Sequence, residues 1–320
     1  IWALLENTVT GCYDVVAVNL VVDPKPVVPA SGYYPQLETC ETGAPLGIET
    51  FNLTTAIPTI LAGQTGVSVT FYPSLADAQA GINAITTPDA YTNVVAYTQT
   101  LGVALTNIAA GCTSYASMDL YVNPQPVVLN PTTPMEVCDD NNDGFAPFDL
   151  VTDGMEHVVG TTVPSGYTIA YYLTQSDAEN NHNAIATNPY ANVDPYSQII
   201  WVAVTDGLGC KTVTTLELIV HDKPIAGIPA DYHLCEQSLG SNTAVFDLTT
   251  LYTTIANGNA MPPHAISYYE VQANAVPGNT NTIGTPSAYT VTIPVGGSNI
   301  KTIWALLENT VTGCYDVVAV

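Results

Sequence analysis

Two stretches of this sequence are the same. Residues 1–18 read IWALLENTVTGCYDVVAV, and residues 303–320 repeat them at all 18 positions. Chance does not produce such a match, and the offset of 302 residues, from position 1 to position 303, predicts a parent chain that repeats a unit of that length. These residues then read as a slice: one period plus an overlap, opening directly in strand-like sequence with no initiating Met and no signal peptide. A chain built by copying must fold into units that stack on their neighbours, which restricts the architecture before any residue is considered.

A weaker repeat runs three times through the period. Cys40-Glu41, Cys138-Asp139 and Cys235-Glu236 each stand a few residues before a Phe-Asn/Asp-Leu element, at Phe51-Asn52-Leu53, Phe148-Asp149-Leu150 and Phe246-Asp247-Leu248. A second motif, Gly-Cys followed by alternating apolar residues, recurs at Gly11-Cys12, Gly111-Cys112, Gly209-Cys210 and Gly313-Cys314. After it come a strand-like run and a Pro hinge: Asp23-Pro24-Lys25-Pro26, Asn123-Pro124-Gln125-Pro126, and the looser His221-Asp222-Lys223-Pro224. Proline cannot continue a central strand and stiffens a linker, so these hinges mark boundaries. The expected division is 1–24 as the last strands of a preceding module, then modules at 25–124, 125–223 and 224–320, the last with its final strand cut short.

Each module reads as β-structure. The runs Val67–Tyr72, Tyr167–Tyr172 and Val213–Val220 are short, rich in β-branched and aromatic residues, and bounded by Gly, Pro, Asn and Asp. Helical periodicity is scarce, the best candidates being a turn or two at Ser74–Ala80 and Ser176–Asn181. Hydrophobic residues make up 47% and charged residues 10% of the chain, enough apolar material for packed cores. About seven short strands per roughly 100 residues predict an all-β chain of tandem immunoglobulin-like β-sandwich modules arranged as an extended rod, with small barrels as the alternative. Modules in series would lengthen the rod by about 40 Å each.

Charge removes whole classes of partner. There are 28 Asp and Glu against 4 Lys and no Arg, a formal charge of -24, so no basic face exists to neutralise phosphates, and no nucleic-acid partner is expected. Docking on anionic lipid fails for the same reason, and the longest apolar runs, such as Val15–Val22, are broken by Asn19, so no membrane insertion is expected.

Seven cysteines of two alternating kinds suggest disulfides and an oxidising setting outside the cytoplasm. Two pairings keep the periodicity. Within a module they join Cys40 with Cys112, Cys138 with Cys210 and Cys235 with Cys314, leaving Cys12 to pair outside the slice; across the hinge they join Cys12 with Cys40, Cys112 with Cys138 and Cys210 with Cys235. The first is the favoured expectation. In an immunoglobulin-like module the opening segment and the turn before the last strand are expected at the same pole, whereas the across-hinge bond must span a final strand of about ten residues, or roughly 33 Å. The within-module loop would contribute about 4 kcal/mol in a loop-entropy picture. Both pairings stay open at this level.

No catalytic residues are expected. His157, His182, His221, His233 and His264 fall at unrelated points of the repeat, and no H-E-x-x-H, G-x-S-x-G or phosphate loop occurs. The segment Asp139-Asp140-Asn141-Asn142-Asp143-Gly144 fits D-x-N-x-D-G, which makes Asp139, Asn141 and Asp143 candidate Ca²⁺ donors. The rest of an EF-hand loop is missing, since position twelve is Leu150. Trp2, Trp201 and Trp304 share one place in the repeat, where the first module has Gly102, and a place that takes both Trp and Gly reads as outward-facing: a surface contact for sugar rings or for a neighbouring module.

Taken together, the pattern C-[DE], F-[DN]-L-T-T, [FY]-Y, T-I-W and G-C, spelled here by Phe246-Asp247-Leu248-Thr249-Thr250, Tyr268-Tyr269, Thr302-Ile303-Trp304 and Gly313-Cys314, resembles the tandem immunoglobulin-like modules of giant cell-surface adhesins of gliding Bacteroidetes, exported by type IX secretion. The third module departs from the pattern, with Gln272-Ala273 in place of Asp-Ala. The resemblance implies a long non-catalytic filament, attached to the outer membrane, that mediates cell adhesion and gliding motility. Its implied partners are extracellular surfaces or polysaccharide, neighbouring modules of the same filament, and outer-membrane motility machinery reached through other regions. A static surface filament or sheath, and a spacer array of a secreted enzyme, are the competing expectations.

Overall fold

A computed structural model describes residues 1–162, 164–261 and 263–320. The chain forms two compact units: Ile1–Pro126 with Thr205–Thr212, and Val127–Val204 with Val213–Val320.

The first unit contains a β-sandwich. Its larger sheet has four strands in the order Tyr33–Cys40, Thr113–Asn123, Thr98–Asn107, Val67–Tyr72, and Thr50–Phe51 pairs with Tyr91–Thr92 to form the smaller sheet. One core serves both, with Phe51 and Leu53 packed with Phe71, Leu101, Val103, Leu105, Met118 and Leu120. The alternation Leu101, Val103, Leu105 is what a pleated strand needs to place every second side chain on that core. Short helices cover the rest. Asn52 caps the turn Leu53–Ala56 by accepting from the Thr54 N–H, and Ser74 caps Leu75–Ala80 by accepting from the Asp77 N–H.

The first strand of the larger sheet runs parallel to the last, with Tyr33 opposite Ser117 and Cys40 opposite Asn123. All other pairings in the sheet are antiparallel. First strand against last, with the remaining strands split between two layers, is the immunoglobulin-like arrangement.

The second unit repeats this plan. Met135–Asp139 lies parallel to Lys211–Asp222, followed in the sheet by Ser197–Thr205 and Thr168–Tyr172, with Pro147–Phe148 and Tyr190–Ala191 as the smaller pair. Phe148, Leu150, Ile200, Val202, Leu216 and Leu218 form its core. Farther along, His264–Tyr269, Trp304–Asn309 and Tyr315–Ala319 form a three-stranded sheet, and Thr243–Phe246 pairs with Tyr289–Thr292. Leu248, Ile255, Tyr268, Ala305 and Leu307 fill this third core.

The duplicated segment shows how much of its structure is local. Residues 1–18 form the hairpin Trp2–Glu6 with Tyr13–Ala17, in the register Trp2 opposite Ala17, and every residue of it is exposed. The same sequence at 303–320 forms the same hairpin, Trp304 opposite Ala319, but there Ala305, Leu306 and Leu307 are buried against His264–Tyr269 and the third core.

Candidate functional site

The cysteines do not pair as expected. Cys40 is bonded to Cys210 and Cys138 to Cys314, over sequence separations of 170 and 176 residues. Neither Cys40–Cys112, Cys138–Cys210, Cys235–Cys314 nor any across-hinge pair forms, and Cys12, Cys112 and Cys235 carry no bond within the chain. The parallel register is the reason. Cys40 lies opposite the last residue of the Thr113–Asn123 strand, while Cys112 immediately precedes its first, so the two stand about 36 Å apart at about 3.3 Å per residue. A disulfide needs Cα atoms within about 7 Å. Cys40 and Cys138, the cysteines of the first two C-[DE] pairs, therefore sit at the exit poles of their own modules and bond to the Gly-Cys turns of the next. In a loop-entropy picture, closing loops of this length contributes about 5 kcal/mol each.

Polar contacts repeat around each bond. In the first unit, Asp206 Oδ1 accepts from the N–H groups of Leu208 and Cys210 and so shapes the turn that presents Cys210. Cys210 is fully buried; its Sγ lies 4.0 Å from the Asn123 carbonyl, and Thr212 Oγ1 donates to the Pro126 carbonyl at 2.6 Å. Gln125 Nε2 donates to the Glu41 carbonyl at 2.9 Å, fixing the hinge to the residue beside Cys40. In the second unit, Cys314 Sγ lies 3.9 Å from the His221 carbonyl, and Asp316 Oδ2 accepts from the Ala226 N–H at 2.9 Å. Around Cys138, Asn142 exchanges two hydrogen bonds with the Lys223 backbone, Lys223 pairs with Asp140, and His221 Nε2 meets Glu136 Oε2 at 2.7 Å. Unbonded Cys112 is seated alike: its Sγ is 3.7 Å from the Asp23 carbonyl and Ser114 Oγ donates to the Pro26 carbonyl at 2.7 Å.

The acid following each exit-pole cysteine closes a loop. Glu41, buried, accepts from the Gly47 N–H at 2.6 Å; Asp139, also buried, accepts from Asn141 N–H at 3.0 Å and from Gly144 N–H at 2.6 Å; Glu236 accepts from Gly240 and Asn242 N–H groups. Asn93 and Asn192 clamp the same loops from the opposite side, donating to the Gly47 and Gly144 carbonyls. Burial pushes the Asp139 carboxyl up, but the backbone N–H groups around it outweigh that and hold it below the usual range.

Asp139, Asn141 and Asp143, the expected Ca²⁺ donors, share this loop and are hydrogen-bonded within it. Asp139 has both oxygens turned onto its own backbone, Asp143 accepts from Phe145 N–H and from Asn141 Nδ2, and the three do not offer a cation a shared set of free oxygens. Among the described residues no cluster of three or more His, Cys, Asp or Glu could hold a metal. The D-x-N-x-D-G pattern is a turn held by its own hydrogen bonds.

The tryptophans differ from expectation too. Trp2 is 75% exposed, but Trp201 is half-buried beside Tyr172, Ala178 and Ala203, and Trp304 beside Tyr269, Ala275 and Leu306. They pack on their own modules. At the equivalent Gly102, a Cβ would stand 2.3 Å from the Ser74 carbonyl oxygen and 2.8 Å from Ala78 Cβ, so the absence of a side chain lets the capping turn and helix lie directly on the strand. At this Trp/Gly position, Trp201 and Trp304 on one hand and Gly102 on the other cover the same sheet face in two ways.

Among solved structures, the chain is similar to a three-domain segment of titin, I67–I69 (10% identity, 89% of this chain and 94% of that one, TM-score 0.27), to the protocadherin GammaB4 extracellular domain (13%, 100% and 53%, TM-score 0.22), and to extracellular domains 3–5 of Drosophila OTK (10%, 79% and 83%, TM-score 0.24). No curated protein matches it. The immunoglobulin-like assignment stands on the strand order of the first two modules, first strand parallel to last. The family described as the Flavobacterium inter-domain disulphide bond domain matches residues 36–126, 134–224 and 231–320. With bonds that skip from one repeat to the next, and three matches that together cover most of its length, the chain belongs to that family.

Proposed function

We propose that this chain is a load-bearing segment of a long extracellular filamentous adhesin that holds a cell to surfaces during gliding. The observation that carries the reading is the pair of bonds Cys40–Cys210 and Cys138–Cys314, which couple successive modules covalently. Such bonds persist in oxidising surroundings, which supports an extracellular or secreted chain. Joined repeats resist being pulled apart at their hinges, and many copies of a weak surface contact act together through avidity. The 18-residue duplication supports a long array, and the acidic surface, with 4 Lys and no Arg, offers little to trypsin-like proteases outside the cell. The filament would be non-catalytic, anchored at the outer membrane, exported by type IX secretion, with extracellular surfaces or polysaccharide as its contacts.

Fluorescent antibody fragments against the 25–124 module, followed on living cells that carry the protein, test this. Spots that travel along the cell and halt when the motor is de-energised are expected. Spots that stay fixed would sink the gliding reading and leave a static sheath or an enzyme spacer.

A further inference from the structure

We propose that the disulfides turn the repeat into a covalent ladder with two interleaved rails, so that the array cannot lengthen appreciably even when its modules lose their fold. One rail starts at Cys12 and passes along the chain for 28 residues to Cys40, crosses the bond to Cys210, then continues for 25 residues to Cys235. The other runs 26 residues from Cys112 to Cys138 and crosses to Cys314. Each rail is made of the same parts: a last strand, a Pro hinge, the opening segment of the next module, and a disulfide that skips to the last strand of the module beyond. What lies between a module's two cysteines, residues 40–112, 138–210 and 235–314, connects one rail to the other as a rung.

The fold then places the rails together. Tyr33–Cys40 belongs to the first rail and Thr113–Asn123 to the second, and the two are parallel neighbours in one sheet. Met135–Asp139 and Lys211–Asp222 repeat the arrangement with the rails exchanged. Tension along the chain reaches both rails as side-by-side parallel strands, while most of each module hangs between them, outside the shortest covalent path.

The duplicated segment shows how the ladder continues. Cys12 matches Cys314 in the duplicated segment, and in a tandem copy displaced by 302 residues the counterpart of Cys112 would follow Cys235 by 179 residues, close to the observed separations of 170 and 176. Cys112, already seated against the Asp23 carbonyl as Cys210 is against Asn123, is the receiving half of that joint. Closing it removes two electrons and two protons from a thiol pair, taken up by a disulfide-type oxidant of the secretory route.

Single-molecule pulling between thioether handles on Cys12 and Cys235, both exposed, in a Cys112→Ala background tests the first rail. At about 3.5 Å per residue the oxidised molecule is expected to stop at about 190 Å, and reductant to release about 600 Å more. An oxidised molecule that runs to the full length without reductant overturns the ladder, as does one in which reductant adds nothing. Cys40→Ser with Cys210→Ser must reproduce the long extension without reductant. For the continuation, disulfide mapping of a chain carrying two tandem units should link Cys235 of one to the Cys112 counterpart of the next; free thiols at both positions would end the rails at a single unit.

Discussion

Cys40 stands opposite Asn123 where the first and last strands of its module run parallel. That register, repeated at Cys138 opposite His221, puts the two cysteines of a module at opposite poles, makes a bond between them impossible, and leaves Cys40 and Cys138 bonded to the Gly-Cys turns of the modules that follow. The hinge at 123–126 is then bridged by sulfur as well as by the chain.

Trypsin distinguishes the three pairings in one gel. Of the four lysines, Lys25 and Lys223 precede Pro and resist cleavage, so an unfolded, unreduced chain yields 1–211, 212–301 and 302–320. With Cys138–Cys314 in place, 302–320 should stay attached to 1–211 and 212–301 should leave alone. Attachment of 212–301 to 302–320 would instead indicate Cys235–Cys314, and attachment to 1–211 an across-hinge bond.

The exit-pole acids should matter for stability and for acid sensitivity. Asp139→Ala strips two backbone donors of their acceptor in a buried loop and should cost about 1–3 kcal/mol by denaturant unfolding. Because the folded Asp139 carboxyl is held below its usual value, its contribution is fully present above an unfolded pKa of about 3.9 and is lost as pH falls through the lower folded value. Glu236, held low by the Gly240 and Asn242 N–H groups, acts in the same direction. Unfolding midpoints measured from pH 6 down to pH 2 should therefore fall, and less steeply in Asp139→Asn.

Removing a hydroxyl should do no harm at Tyr171. Its OH is buried without a hydrogen-bond partner among the described residues, while Tyr268 at the matching place donates to the Leu248 carbonyl and the first module has Phe71 there. Tyr171→Phe is expected to be neutral or stabilising, whereas Tyr268→Phe should destabilise by about 1 kcal/mol; thermal unfolding of both variants checks the contrast.

Gly102→Ala should destabilise the first module by at least about 1–3 kcal/mol, because the new Cβ meets the Ser74 carbonyl oxygen, which belongs to a capped turn and has little room to move. Trp201→Gly should also destabilise, through a cavity beside Tyr172 and Ala178. Unfolding of each variant by urea gives the two values directly, and a neutral Gly102→Ala would contradict the close approach.

Much of the fold is legible in residue order. The Val67–Tyr72 strand falls where its β-branched and aromatic run predicts, and the helices Leu75–Ala80 and Gln175–Asn180 follow the capping pairs Ser74/Asp77 and Thr174/Asp177. Ile57–Leu61, Gly154–Val159 and Tyr252–Ala256 were not foreseen, because one helical turn offers too few positions for a period to show. The signal that could have found the loop acids was present, since Cys40-Glu41, Cys138-Asp139 and Cys235-Glu236 repeat the acid as faithfully as the cysteine. Read as a metal motif in one module alone, it concealed a turn common to all three.

The duplicated eighteen residues separate what each level decides. At both ends of the chain they form one hairpin in one register, because alternation and the Asn-Thr-Val-Thr-Gly turn between the strands are local properties. Whether Leu5 is 77% exposed or its copy Leu307 fully buried depends on a strand, His264–Tyr269, that only the second copy has beside it. The cysteines divide in the same way. Spacing alone reveals that they belong to two classes and recur once per module, but which two meet depends on whether first and last strands run parallel, and that choice is made by packing across the sheet, over distances that residue spacing does not encode.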